Sequence, residues 1–195
     1  MRIYRIHKRL EKVKFVGVDL AGNPKNETGF CVLDTVNSIK RVSTTLLHSD
    51  DEIIDKIMEI SPVVTAIDAP LTFNGVERRC DRELRRYGAL PVTLRGMEIL
   101  AIRGSELARK LMRLNMNVIE VFSTATAKIL GLYASSEREM QKNLIDAGIS
   151  GDVDKRFLTR DELDAIFAAI TAYLYINKST TSVGDDKGRI IIPRV

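Results

Sequence analysis

The chain of 195 residues has no Trp, a single Gln (Gln141), two His and two Cys. His7 and His48 lie in no recognisable site, and no Ser–His or Cys–His nucleophile pair presents itself. Cys31 falls within an apolar run and Cys80 within an arginine-rich loop. With no signal-peptide pattern at the N-terminus, the expectation is a reducing cytosol and two free thiols. Long hydrophobic runs are also missing. The longest, Ala165 to Ile176, is too short to span a bilayer, which excludes a transmembrane helix. Low amide content beside abundant charge is a compositional hint of a thermophile. No repeat or low-complexity tract interrupts the chain.

Apolar residues make up 45% of the chain, enough for one domain over residues 1–195 with a proper core and an insertion. The formal net charge is +4 and the pI about 9.1. This mild basic excess suits a polyanionic partner and equally a well-solvated surface.

Val13–Leu20 is a near-continuous apolar run, as in a central strand covered on both faces. Thr28–Asp34 and Ser38–Leu47 read as two further strands in an antiparallel meander. Ser49–Ile60 fits a helix capped by Ser49 or Asp50, with Ile53, Ile54, Ile57 and Met58 on one face. "PVVTAIDAP" follows as a strand reached by a helical crossover, hence parallel to one already laid down. Gly96–Leu114 is helical, with a break expected at Gly104. "NVIEVF" is the next parallel-type strand. Ser123–Leu132 and Ser135–Ala147 read as helices. Thr159–Ile176 is the strongest helix, opened by a Thr159/Glu162 capping box. A terminal hairpin turns at Asp186–Lys187–Gly188. Strands in a meander followed by alternating helices and strands make an α/β fold with a mixed sheet.

Asp19 and Asp68 end two strands expected to be parallel neighbours, and Glu120 comes late in a third. Ligands of open α/β sheets bind beyond the carboxyl ends of such strands. Asp161 and Asp164 lie one turn apart on the last long helix. Asp161 reads as a first-turn acid that favours the helix macrodipole. Asp164 is flanked by Leu163, Ala165, Ile166 and Phe167, and a carboxylate facing a core needs a partner. Clustered carboxylates raise one another's pKa, and a divalent cation resolves the conflict. Oxygen-only donors point to Mg²⁺ or Mn²⁺ rather than zinc. The natural chemistry of such a site is metal-activated water attacking phosphorus.

Taken as a set, "GVDLAG", "AIDAP", "VIEVF" and "LTRDELDAIFAAITAYLY" resemble a family of predicted nucleases with an RNase H-like fold, over nearly all of Val13 to Pro193. The resemblance implies a five-stranded sheet of order 3-2-1-4-5, flanked by helices and carrying helical insertions. It also implies a metal site of Asp19, Asp68 and Asp164, with Glu120 as a further candidate. The last-helix acid is more similar to its counterpart in Holliday-junction resolvases than to that of RNase H itself.

"GVERRCDRELRRYG" lies in an insert at about residues 71–95, close behind Asp68. Arg78, Arg79, Arg82, Arg85 and Arg86 fall within one or two helical turns of one another. Guanidinium groups bind phosphate bidentately, so Arg78, Arg79, Arg82 and Arg86 are candidate contacts to a DNA or RNA backbone, without sequence readout. A solvated helix pairing with Asp81 and Glu83 explains the same residues. Cys80 is read as a small buried residue. Only Phe73 and Tyr87 stand near for base stacking. The leading reading is a Mg²⁺- or Mn²⁺-dependent nuclease. A phosphotransferase or ATPase on the same fold, and a non-catalytic nucleic-acid-binding protein, are the alternatives. The sequence leaves homo-oligomerisation open.

Overall fold

The computed structural model describes residues 13–36 and 39–194. Three strands open the fold: β1 (Val13–Asp19), β2 (Thr28–Val36) and β3 (Ile39–Leu47), paired antiparallel in sequence order. Helix α1 (Asp50–Ile60) is closed at its start by a Ser49/Glu52 capping box and carries the chain over to β4 (Val64–Asp68). β4 pairs parallel to β1, and β5 (Val118–Glu120) pairs parallel to β4.

The expected order 3-2-1-4-5 is present, with one strand more. β6 (Ile149–Gly151) pairs parallel to β3, so the sheet reads β5-β4-β1-β2-β3-β6. Three residues carry no readable alternation. Gly151 makes the pairing, because its φ is 114° and a Cβ there would lie 2.1 Å from the Val42 carbonyl oxygen.

Between β4 and β5 lie the insert, with the short α2 (Arg79–Glu83), and the long α3 (Arg95–Arg113). α3 runs unbroken through Gly104, against expectation. A Cβ at Gly104 would stand 2.5 Å from the Pro70 carbonyl oxygen, so this glycine admits a close crossing rather than a break. α4 (Ser123–Ile129) and α5 (Glu137–Asp146) precede β6. α6 (Arg160–Ile176) begins at the expected Thr159/Glu162 capping box. The hairpin β7 (Thr180–Asp185) and β8 (Gly188–Pro193) forms its own two-stranded sheet, which packs Ile190 and Ile192 against Cys80 and Leu84 of the insert.

The pleat divides the core. Phe15, Cys31, Leu33, Val64 and Ala66 face α6, while Val16, Val18, Phe30 and Ile67 face α1 and α3. α6 is buried from Glu162 through Ala172 except at Asp164. Each large apolar side chain among these contributes about 2 kcal/mol of burial. Two glycines set its distance from the sheet. A Cβ at Gly17 would lie 2.0 Å from the Ala165 oxygen, and one at Gly29 1.9 Å from the Asp161 oxygen. The helix backbone therefore rests directly on β1 and β2. No described helix is long and apolar enough to cross a membrane.

Candidate active site

Period two decides which acids meet. Phe15 and Gly17 face α6, so Asp19 is the next residue of β1 on that side. Val64 and Ala66 place Asp68 likewise, and Asp19 and Asp68 are register partners across the parallel pair. The contact of α6 at Gly17 and Gly29 brings Asp161 and Asp164 over the same strand ends. Four carboxylates thus gather where β1 and β4 stop.

Their fixed partners are few. Asp68 Oδ2 accepts from the Ser123 backbone N–H at 2.9 Å, and Ser123 Oγ donates to the Asp164 carbonyl oxygen at 2.8 Å. Buried Ser123 therefore ties β4, α4 and α6 together. Arg160 Nε donates to Asp164 Oδ2 at 2.8 Å, one helical turn back. Asp164 Oδ1 is buried and accepts nothing.

The electrostatics are strained accordingly. Burial holds the Asp19 carboxyl well above its usual range, with Asp68, Asp164 and Asp161 adding repulsion and Arg160 offsetting part of it. Burial and Asp164 push Asp68 up to about 7, despite the Ser123 hydrogen bonds. Asp164 is raised by burial and held back by Arg160. Asp161 is raised by burial, then by Glu27 and Glu162.

An open, polar cleft of about 640 Å³ adjoins the acids, lined by Asp19, Lys25, Asn26, Glu27, His48 and Asp161 among others. Buried Arg103 of α3 holds its rim. It donates to the carbonyl oxygens of Ala21 and His48, both at 2.6 Å, and to Asp50 at 2.9 Å.

The family described as protein of unknown function (DUF429) matches residues 17–188 of the sequence. The chain belongs to this family. No curated protein matches it. Among solved structures, two of RuvC from Thermus thermophilus share its fold. One is in complex with Holliday junction substrate, at a TM-score of 0.50 and 11% identity. The other is described as the Thermus thermophilus RuvC structure, at 0.53 and 9%. Each alignment covers 85% of this chain and 96% of RuvC. The RNase H-like architecture of this DUF429 protein is thereby shown.

Two expected site residues of the DUF429 chain are placed elsewhere. Glu120 is the register partner of Ile67, not of Asp68, so the pleat turns it to the other face of the sheet, from where it still adds a little repulsion to Asp68. There it accepts from the Leu71 N–H at 2.8 Å and pairs with Arg78 at 2.8 Å. Arg78 is correspondingly not a surface contact for phosphate. Only 2% of it is exposed, and its fork is filled by Asp81 and Glu120. Its Nη1 also donates to Thr72 Oγ1, whose hydroxyl donates to the Lys187 carbonyl oxygen. Arg78 therefore pins the insert to β5 and the terminal hairpin. Cys80 lies beside it, buried, its thiol pushed up to about 12 chiefly by burial.

Arg79, Arg82 and Arg85 are exposed and pair with Glu83 and Glu77. Arg86 is exposed and lies over the Tyr87 ring. Asp161, read from the sequence chiefly as a first-turn acid favouring the macrodipole, also lies at the cluster. Its spacing of three from Asp164 was the available signal, and the cleft gives it a second place.

The donor set fits a hard divalent cation. All donors are carboxylate oxygens, their mutual repulsion is only partly offset by Arg160, and Asp164 Oδ1 is buried without a partner. Among the described residues, no group of three or more acid, imidazole or thiol side chains is placed closely enough to hold a metal ion as it stands, so the fit lies in the donor chemistry.

Proposed function

We propose that the protein is a divalent-metal-dependent nuclease that hydrolyses phosphodiester bonds of nucleic acid. The observation that carries this reading is the convergence of Asp19, Asp68 and Asp164 at the carboxyl ends of β1 and β4, with a buried oxygen of Asp164 left unpartnered. Asp161 joins them from the first turn of α6. The fold shared with RuvC, seen in one structure with its Holliday junction substrate, supports nucleic acid as the substrate class.

Asp19, Asp68 and Asp164 would hold Mg²⁺ or Mn²⁺, with Asp161 at the rim. When bound, such an ion supplies a more acidic water and charge stabilisation at the attacked phosphate. The chain's own contribution is placement. Ser123 fixes Asp68 and the Asp164 backbone in one frame. Arg160 orients Asp164 from one side and leaves its other oxygen free. Arg103 ties together Ala21 and His48, which line the cleft beside Asp19. The raised pKa values of Asp19 and Asp68 mean that proton loss and cation uptake are linked, so activity rises with pH as these carboxyls ionise.

The test is hydrolysis of labelled single-stranded, duplex and branched DNA and RNA in Mn²⁺ or Mg²⁺. Wild type is expected to cleave at least one of them, with chelator abolishing the reaction. Asp19→Asn and Asp164→Asn are each expected to lose at least about a hundredfold, the scale of removing one key charge from a transition state. Undiminished hydrolysis by both variants would overturn the assignment.

A further inference from the structure

A line of cations and aromatic rings leaves the acid cluster along one side of the molecule. It starts at Arg160, whose guanidinium holds Asp164 and lies over the Tyr133 ring, 5.6 Å from the centroid. Lys128 Nζ lies over the same ring at 4.9 Å and donates to the Tyr87 carbonyl oxygen at 2.8 Å. Arg86 lies over the Tyr87 ring at 4.9 Å. Asp164, Arg160, Tyr133, Lys128, Tyr87 and Arg86 are thus in continuous contact, although they come from three separate segments.

Local backbone builds this line. Lys128 sits in the last turn of α4, and Gly131, at φ 71°, turns the chain back after it. The Tyr133 N–H then donates to the Ala127 carbonyl oxygen at 3.1 Å, which sets the ring beside Lys128. On the insert, Gly88 at φ 104° ends the turn Arg85–Tyr87 and leaves the Tyr87 carbonyl facing Lys128, while the half-buried ring packs beside Cys80 and Leu84. Tyr133 is 40% exposed, and Lys128 and Arg86 are exposed. Neither Lys128 nor Arg86 has a carboxylate partner among the described residues, whereas Arg79, Arg82 and Arg85 each face a glutamate. Two cations without a carboxylate of their own therefore stand directly against the rings of the line.

We propose that this line is the binding path of an unpaired nucleic-acid strand whose phosphate is delivered to the acid cluster at Arg160. The proposal rests on the nuclease reading and narrows its substrate to nucleic acid with a single-stranded segment. Rings accept stacked bases, and cations between them accept the phosphates that alternate with those bases. Binding exchanges each ring–cation contact for a base on the ring and a phosphate on the cation. A duplex buries its base faces and offers only the phosphates, so it gains nothing from Tyr133 or Tyr87. Stacking and phosphate contacts leave sequence unread. Of the arginines in the insert, only Arg86 belongs to the path.

Fluorescence anisotropy in EDTA, with mixed-sequence single-stranded oligonucleotides and a blunt duplex, tests this without hydrolysis. Tyr133→Ala is expected to weaken single-strand binding at least about fivefold, the lower end for losing one stacked base, and Tyr133→Phe to restore it. Duplex binding by both variants is expected to match wild type. The double variant Lys128→Gln/Arg86→Gln is expected to flatten the salt dependence of single-strand binding by about 1.4 units of slope, at roughly 0.7 per phosphate. These two side chains are exposed, so that arm holds even where Tyr133→Ala disturbs folding. Single-strand binding unchanged in both sets, an equal loss for the duplex in Tyr133→Ala, or an acidic polypeptide bound with the same dependence on Tyr133 would each overturn the proposal. If the expected binding is found but no substrate is cleaved, the path stands and the nuclease reading alone falls.

Discussion

Replacing Asp68 by Asn removes one negative charge from the cluster and keeps the shape of the side chain. In the metal-free protein, burial and Asp164 push this carboxyl from its usual 3.8 to about 7. A folded-state pKa above the unfolded one means that the native state holds the proton more tightly. Stability from this group is therefore full below about pH 4 and is lost as pH rises toward 7. Three pK units correspond to an upper bound of about 4 kcal/mol. Solvent at the partly open cleft, titration shared with Asp19 and Asp164, and the weaker hydrogen bond from Ser123 to a neutral amide bring the expected gain to about 1–2 kcal/mol. For a chain of this size that is a rise of roughly 2–8 °C in Tm. Thermal unfolding in EDTA at pH 8 should show Asp68→Asn above wild type, and at pH 4 the difference should vanish. A lower Tm for the variant at both values would mean that Asp68 serves the Ser123 hydrogen bond structurally, and the reasoning would be refuted.

Mn²⁺ should raise the Tm of wild type in a concentration-dependent way and that of Asp19→Asn far less, since only a cation that prefers the folded state stabilises it; equal rises would place the bound ion elsewhere. Gly17→Ala should lower stability by at least about 3 kcal/mol in urea unfolding, because the added Cβ would meet the Ala165 oxygen at 2.0 Å and the Ala169 nitrogen at 2.3 Å, both backbone atoms. A near-neutral Gly17→Ala would contradict the close seat of α6 that places Asp161 and Asp164. Arg78→Met should cost about 3–5 kcal/mol by leaving Asp81 and Glu120 buried without their cation. A loss of nucleic-acid binding by that variant without any loss of stability would return Arg78 to the phosphate contacts.

The meander of the first three strands and the parallel sense of the next two were legible because short turns force antiparallel neighbours and helical crossovers force parallel ones; the order of the five came from the family resemblance. The helix carrying Asp164 was legible from its capping box and its nearly unbroken apolar surface. β6 was not, because three residues give no period and its pairing depends on how closely Gly151 approaches Val42. Glu120 was misplaced for a related reason. In a three-residue strand the face of a side chain depends on register to a single residue, and the pairing with β4 fixes that register from outside the segment. Arg78 was indistinguishable from its neighbours in an arginine-rich run. One of its partners, Glu120, is 42 residues away, and only the assembled fold reveals the fork as internal. Tyr133 and Lys128 carry no motif, and it is the turn at Gly131 that joins them to Arg160. Asp161 was visible but had a sufficient local explanation at the helix N-terminus.

The central claim, that Asp19, Asp68 and Asp164 form a divalent cation site, is tested most directly by anomalous diffraction from crystals soaked in Mn²⁺. The account predicts a strong peak among these three carboxylates, with the free oxygen of Asp164 among its ligands, and no such peak in crystals of Asp19→Asn. Full-occupancy peaks confined to other surfaces, with the three carboxylates unchanged in millimolar Mn²⁺ at pH 8, would contradict it.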